Sequence, residues 1–315
     1  MIGKNDNNGV GYGAGMRCDK VLFTNEAYSN FAKDPAVAAF SGRYFLYHSI
    51  RYPDGRFGIG IAESSDLEHW TIVGEIPIKE SYEQNGIAAP GSIVLGDQLH
   101  LFYQTYGNGR CDAICHAVSS DGIHFTRNPE NPVFRPGTDW CSGRAIDADV
   151  CVFNGKLHLY FATRDYEMKI QQIGGAWASL DTGFGKKSWH TLADHPLLVP
   201  ELLWEGECVE APATIVRNGK VYLFYGGSYN CTPQQIGCAV SEDGVTFRRL
   251  SDEPFLTCGA AGTWNQCESG HPYIFEDQGR IYLFYQGSAD KGKTWYLSKM
   301  EICFADENEG IMFVN

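Results

Sequence analysis

The sequence predicts an all-β protein, a single five-bladed β-propeller over residues 1–315, and three observations carry that expectation. Glycine is abundant at 36 residues, aromatics make up 13% of the chain, and no long Ala/Glu/Lys/Leu-rich stretch has helical periodicity. A strand-turn-strand unit recurs, aligned on Tyr44, His100, His158, Tyr222 and Tyr282, which are 56, 58, 64 and 60 residues apart. Antiparallel units of about four strands at such a period read as propeller blades, whereas a β-sandwich does not repeat in this way.

The blades follow in order, starting near residues 34, 89, 147, 210 and 270. "KDPAVAAFSGRYFLYHS" opens blade one, and "APGSIVLGDQLHLFYQTY" from Ala89 opens blade two. "DADVCVFNGKLHLYFATR" from Asp147, "EAPATIVRNGKVYLFYGGS" from Glu210 and "GHPYIFEDQGRIYLFYQGS" from Gly270 open the other three. Each is a short apolar strand, a polar turn usually containing Gly, and a second strand of aromatic and aliphatic residues. A third strand follows in "GIGIAESSDLEHW", "AICHAVSSDGIHF" and "IGCAVSEDGVTF", where Ser-Asp-Leu or Asp-Gly supplies the turn and Trp70, Phe125 or Phe247 opens the fourth strand. Blade three is looser here, with "GGAWASLDTGFGKKSWH". The ring closes by pairing a terminal strand with the last blade, for which "KVLF" at 20–23 and "IMFV" at 311–314 both qualify.

The innermost strands of a propeller all start at one end of a central channel, so the residues that open them converge. The openings are Asp34-Pro35, Ala89-Pro90, Asp147-Ala148, Glu210-Ala211-Pro212 and Gly270-His271-Pro272. An Asp before Pro is common in turns and taken singly means little. Three carboxylates at matching positions around one axis are different, because clustered like charges raise one another's pKa and are costly unless used. Cleavage of a glycosidic bond needs such a set: a base to activate water, an acid to protonate the leaving oxygen, and a group that tunes the acid.

The chain resembles glycoside hydrolase family 43 at these points, in "KDPAV", "AIDADVCVFNGKLHLYF" and "VEAPATIVRNGKVYLFY". The resemblance covers nearly the whole chain. It implies a five-bladed propeller that hydrolyses glycosides with inversion, with Asp34 as general base, Asp147 as pKa modulator and Glu210 as general acid. It also implies substrates containing pentoses, as for an α-L-arabinofuranosidase or a β-xylosidase, and no required cofactor. His271 in "SGHPYIF" matches a blade-five histidine near the axis that helps hold a metal ion or water, often calcium; a satisfied core histidine is the plain alternative. Blade two departs from the family's Ala-Pro-Asp, since Gly91 follows Ala89-Pro90.

Two neighbours compete for these roles. Asp149 is two residues beyond Asp147 and so on the same strand face. Glu207, in "GECVEAP", starts a Glu-Cys pair similar to the acid motif of the family-32 β-fructosidases, although the signature those enzymes carry near the base is missing around Asp34. Trp140, Trp204 and Trp264 lie in loops leading into blades three, four and five, and are candidate platforms for sugar rings, with packing as the alternative. Arg144 and Arg164 flank blade three and are candidates to bond sugar hydroxyls, or else to neutralise the acidic funnel or, for Arg164, to pair with Asp165.

Bulk properties bound the partners. The net charge of −13 disfavours nucleic acid, and nowhere do 18 apolar residues run together as a membrane span would require. "MIGKNDNNGVGYGAGMRC" has no apolar export core, and the eleven cysteines form no C-x-x-C pair, with Cys115, Cys151 and Cys238 inside apolar strand runs. These features point to reduced thiols and the cytoplasm. Other readings of the same pattern are a family-32-like or family-117-like glycosidase, a glycoside phosphorylase and a sugar-binding propeller without catalysis. A phosphorylase needs a basic cluster for phosphate, and none stands out along the chain; a lectin repeats its binding residues in every blade, whereas the acids here occupy three of five.

Overall fold

The computed structural model describes residues 20–137, 139–305 and 310–314. The opening stretch through Cys18, read above for an export signal, lies outside them. Five four-stranded antiparallel sheets form the five blades, each running in chain order from an inner to an outer strand. The inner strands are Lys33–Phe40, Ile87–Leu95, Ile146–Phe153, Val209–Arg217 and Glu268–Asp277. Outer strands are short, down to Thr126–Arg127, His190–Thr191 and Arg248–Arg249 in blades two to four, so little free sheet edge is left for pairing with another chain.

Both candidate closing segments are used. Ile311–Phe313 is the fourth strand of blade five, and the backbone of Phe23 bridges to Leu297 of the same blade. The core lies between blades, where the second strands present wholly buried rings such as Tyr47, Phe102, Phe161 and Tyr225. Neighbouring blades are stitched by polar bonds: the Tyr47 hydroxyl donates to the carbonyl of Gly122 in the blade-two turn, and Tyr160 does the same to Gly244 in blade four. No disulfide is present among the described residues, and Cys115, Cys151 and Cys238 are buried free thiols.

The feature that builds the centre is a repeated bulge. Pairing in the inner strands skips two residues, between Lys33 and Ala36, Ala88 and Gly91, Glu210 and Ala213, and Gly270 and Tyr273. In blade three the gap falls between Ile146 and Asp149. The first bulged residue is left-handed every time: Asp34, Ala89, Asp147, Ala211 and His271 have φ of 51, 42, 51, 50 and 44°. Such a conformation costs about 1–2 kcal/mol for a residue with a Cβ. It is held in four blades by a side chain from the preceding blade, to which the bulged N–H donates: Gln286 for Asp34, Ser49 for Ala89, Gln104 for Asp147 and Gln234 for His271. The second bulged residue is proline in four blades, where a missing N–H leaves no ladder bond unmade.

This frame corrects one expectation. Asp34 and Asp147 do occupy equivalent positions, but the third member of their ring is His271. Glu210 lies one residue earlier, in the place of Lys33, Ala88, Ile146 and Gly270. The Pro after Ala211 marks the offset, because it aligns with Pro35 and Pro272 and leaves Glu210 outside the bulge.

Candidate active site

The bulges turn side chains inward at one end of the channel, where an open cavity of about 130 Å³ is lined by Asp34, Asp147, Glu210 and His271. His271 is the hub. Its Nδ1 lies 3.0 Å from Oδ1 of Asp34, and its Nε2 lies 3.8 Å from Oε1 of Glu210 and 3.9 Å from Oδ2 of Asp147. All four side chains are buried, and Asp34 Oδ1 and Asp147 Oδ2 accept no hydrogen bond from the protein.

Each carboxylate has its own surroundings. Burial raises the pKa of Asp34, but the Lys33 ammonium, 3.7 Å away, and His271 outweigh burial and hold the carboxyl below its ordinary range. Burial pushes Asp147 upward, and the charges of Glu210 and Asp34 add to that against the pull of His271 and Arg144. Glu210 is gripped by two amides: Gln171 donates to Oε2, and Gln234 donates to Oε1 at 2.6 Å. Burial disfavours a charged His271, yet the three carboxylates together raise its pKa. Two carboxyls pushed in opposite directions on one axis are the arrangement that separates a base from a proton-holding group.

The loop before Glu210 is anchored by a buried carboxylate. Glu205 accepts from Arg249 Nε and Nη2, both at 2.8 Å, and from the Tyr225 hydroxyl at 2.7 Å. Its backbone carbonyl accepts from the N–H of Cys208, so this anchor ties the chain leading into the blade-four bulge to the outer strand of the same blade.

The competing acids fall elsewhere. Glu207 is exposed, and among cavity features only its backbone takes part, accepting from the N–H of Gln171. Asp149, beyond the bulge, lies deeper in the channel, where its Oδ2 accepts from the N–H and hydroxyl of Thr214 at 2.7 and 2.5 Å. Burial pushes its pKa up to about 7 despite those bonds.

None of the three tryptophans lines the cavity, which corrects their placement as sugar platforms. Trp204 lies against Gly227, where a Cβ would come within 2.2 Å of the ring, and stacks on Tyr225. Trp264 fills the same slot over Gly287 beside Tyr285, and Trp140 packs at Gly174 and Phe161. The glycines leave flat slots on the blades, and the indoles fill them. Phe57, Tyr106 and Tyr229 are the aromatic groups that do line the cavity. Those three, with Lys33, Gln171 and Asn230, were missed from the sequence, where residue type mostly does not recur from blade to blade at their positions.

Arg144 and Arg164 are both in the wall, as expected, and Lys33 joins them. Arg164 has no ion pair with Asp165, whose Oδ1 is taken by the N–H groups of Lys169 and Ile170. The three cations come from two separate blades, which is why no basic cluster is visible along the chain.

A divalent cation would draw on Asp147, Glu210 and His271, whose ligand atoms all lie within 4.8 Å of one another. The unbonded Oδ2 of Asp147 suits that use. Calcium takes about 6–8 oxygen ligands, so this set fits it only with water supplying most positions; the ion would compensate charge there.

The model of Glycosyl hydrolases family 43 matches residues 23–303. The chain belongs to glycoside hydrolase family 43. Among family-43-like folds, an endo-1,4-beta-xylanase from Bacteroides thetaiotaomicron VPI-5482 superposes with a TM-score of 0.72 at 20% identity, covering 90% of this chain and 94% of that one. An alpha-L-arabinofuranosidase from Lactobacillus brevis superposes at 0.67 and 17% identity, covering 91% and 98%. At such identities these likenesses speak for the propeller alone. By sequence, a 1,2-beta-oligomannan phosphorylase from Thermoanaerobacter sp. (strain X514) is 32% identical over 123 residues, 36% of this chain. The matched stretch spans only 39% of that relative's length.

Proposed function

We propose that this family-43 protein is an exo-acting, inverting glycosidase for pentose-containing oligosaccharides, of the α-L-arabinofuranosidase or β-xylosidase type. The observation that carries the mechanism is the placement of Asp34 and Glu210 on opposite nitrogens of one imidazole, with the cavity open above both. Asp34, kept ionised by Lys33 and His271, takes a proton from water as its oxygen attacks the anomeric carbon. Glu210 gives its proton to the departing oxygen, and the bond to that oxygen breaks with its electron pair. Asp147, which faces the same Nε2 as Glu210, holds its proton more readily than an ordinary carboxyl, mainly through burial and in part through the charge of Glu210. Inversion asks for a base and an acid roughly 6.5–9.5 Å apart with a water beside the base.

The pentose assignment rests on the family resemblance and on the names of the xylanase and arabinofuranosidase neighbours. A panel of aryl pentosides and hexosides, followed by proton NMR of the first anomer formed, tests it. Inverted pentose is the expected product; turnover of hexosides alone, or a retained anomer, would overturn the corresponding part.

A second reading is phosphorolysis, favoured by the relative named as an oligomannan phosphorylase and by the cations in the cavity wall. In it phosphate replaces water, and glycosyl phosphate appears in place of free sugar. Assaying both products with and without phosphate separates the two readings.

A further inference from the structure

Arg144 and Arg164 stand side by side in the wall of the cavity. Blade three pairs Ala162 with Ile146, and the N–H of Ser142 donates to the carbonyl of Arg164, so the two arginines are cross-strand neighbours just before the Asp147 bulge. Arg144 is compensated, since its Nε reaches Oδ2 of the buried Asp112 at 3.2 Å. Arg164 is not. Its Nε donates to the neutral amide oxygen of Gln171 at 2.8 Å and its Nη1 to the carbonyl of Met168 at 3.1 Å, and no carboxylate among the described residues lies within 4 Å. Its guanidinium rests over the Tyr229 ring, 5.3 Å from the centroid, and Tyr229 also lines the cavity. A half-buried guanidinium with Nε and Nη1 engaged and no counter-charge keeps its Nη2 donors for a ligand.

We propose that this wall is an oxyanion subsite, with Arg164 as its main ligand and Arg144 beside it, taking a carboxylate or phosphate group. Three features locate the seat. The carboxylates around His271 repel an anion from the axis, which leaves the wall. Lys33, Arg144 and Tyr106 line the same cavity as Arg164, so further donors continue along the wall towards the Asp34 side. Gln171 joins the seat to the glycosidase machinery, accepting from Arg164 and donating to Glu210. The anion therefore sits on the Glu210 side, where the departing part of a glycoside lies; this last point rests on the role proposed for Glu210. Two sources share the chemistry: the carboxylate of a uronic acid unit in the substrate, and free inorganic phosphate.

Calorimetric titration of the full chain with galacturonate, glucuronate, inorganic phosphate and the matching neutral sugars tests the seat. Binding of a sugar acid or of phosphate more tightly than the neutral sugar, weakened at least tenfold in Arg164→Gln and less in Arg164→Lys, is expected. A preference for sugar acids assigns the seat to substrate, and a preference for phosphate assigns it to the free anion. No anion preference in the wild type, or equal anion affinity in Arg164→Gln with an unchanged melting temperature, would overturn the proposal. Glu210→Gln keeps the two questions apart: it should lose turnover yet retain anion affinity, so a wild type inactive on every glycoside would sink the glycosidase mechanism without touching the subsite.

Discussion

His271 Nδ1 lies 3.0 Å from Asp34 Oδ1, and the two residues occupy the same left-handed bulge position in adjacent blades. One backbone device therefore sets both halves of the pair, and the ring between blade five and blade one closes at the site itself.

The Lys33 ammonium and His271 keep Asp34 ionised, so removing the lysine charge should be visible in the pH profile. A base works only above its pKa, and activity falls as pH drops through it. In Lys33→Met the Asp34 pKa should rise, moving the acid limb of kcat/KM upward by about one unit, the scale of a lost nearby opposite charge. An unmoved limb would separate Asp34 from the rate.

Glu210→Gln should depend on the leaving group. General acid catalysis is worth about 10²–10⁴-fold, and that loss is expected with alkyl glycosides or natural oligosaccharides. With a dinitrophenyl leaving group, which departs without a proton, the loss should shrink to under about tenfold. Equal losses on both substrates would count against the acid role.

A methyl group on Gly270 would come within 2.0 Å of Gln234 Oε1. Gln234 holds Glu210 and the His271 N–H at once, so Gly270→Ala must displace both contacts. A fall in kcat of about tenfold is expected, in line with the loss of one buried hydrogen bond; an unchanged kcat would show that the amide does not position the acid.

Asp149 has a pKa pushed up to about 7 in the folded protein, against an ordinary value of about 3.9 unfolded. Between those values the folded chain holds a proton that the unfolded chain has lost, so this residue makes stability fall as pH rises from about 4 through 7. Asp149→Asn keeps an acceptor for Thr214 and removes the titration. Its melting temperature relative to wild type should rise between pH 4.5 and pH 7.5; a constant difference would mean that Asp149 is charged when folded.

Trp204 should matter to stability and not to binding. Emptying its slot over Gly227 should cost about 2–4 kcal/mol, somewhat less than a fully buried Trp→Ala change. Trp204→Ala should thus lower the melting temperature with KM changed by less than about twofold. A large KM increase at unchanged stability would restore the sugar-platform role.

The blades and their starts were legible because each repeat carries its own local chemistry. Alternating apolar strands, Gly turns and a Pro after the bulge sit within some twenty residues of one another, and any one blade can be read without the rest. The same locality brought out Asp34, Asp147, Glu210 and His271, since residues opening inner strands must meet at the axis. Glu207 and Asp149 stayed open because a bulge changes which residues face inward, and no periodicity reveals it.

By itself, then, the sequence determined five antiparallel units, their order, and a set of acids and a histidine aimed at one channel. Only the tertiary structure decided how their surroundings differ: which carboxyl is held ionised by Lys33, which holds a proton through burial, and that Gln171 and Gln234 from other strands grip Glu210. It also decided that the tryptophans fill glycine slots while Arg164 faces the cavity uncompensated. The reason is physical. Strand patterns depend on neighbours along the chain, whereas pKa, charge balance and cavity lining depend on groups brought together from different blades, whose distances no single stretch of sequence contains.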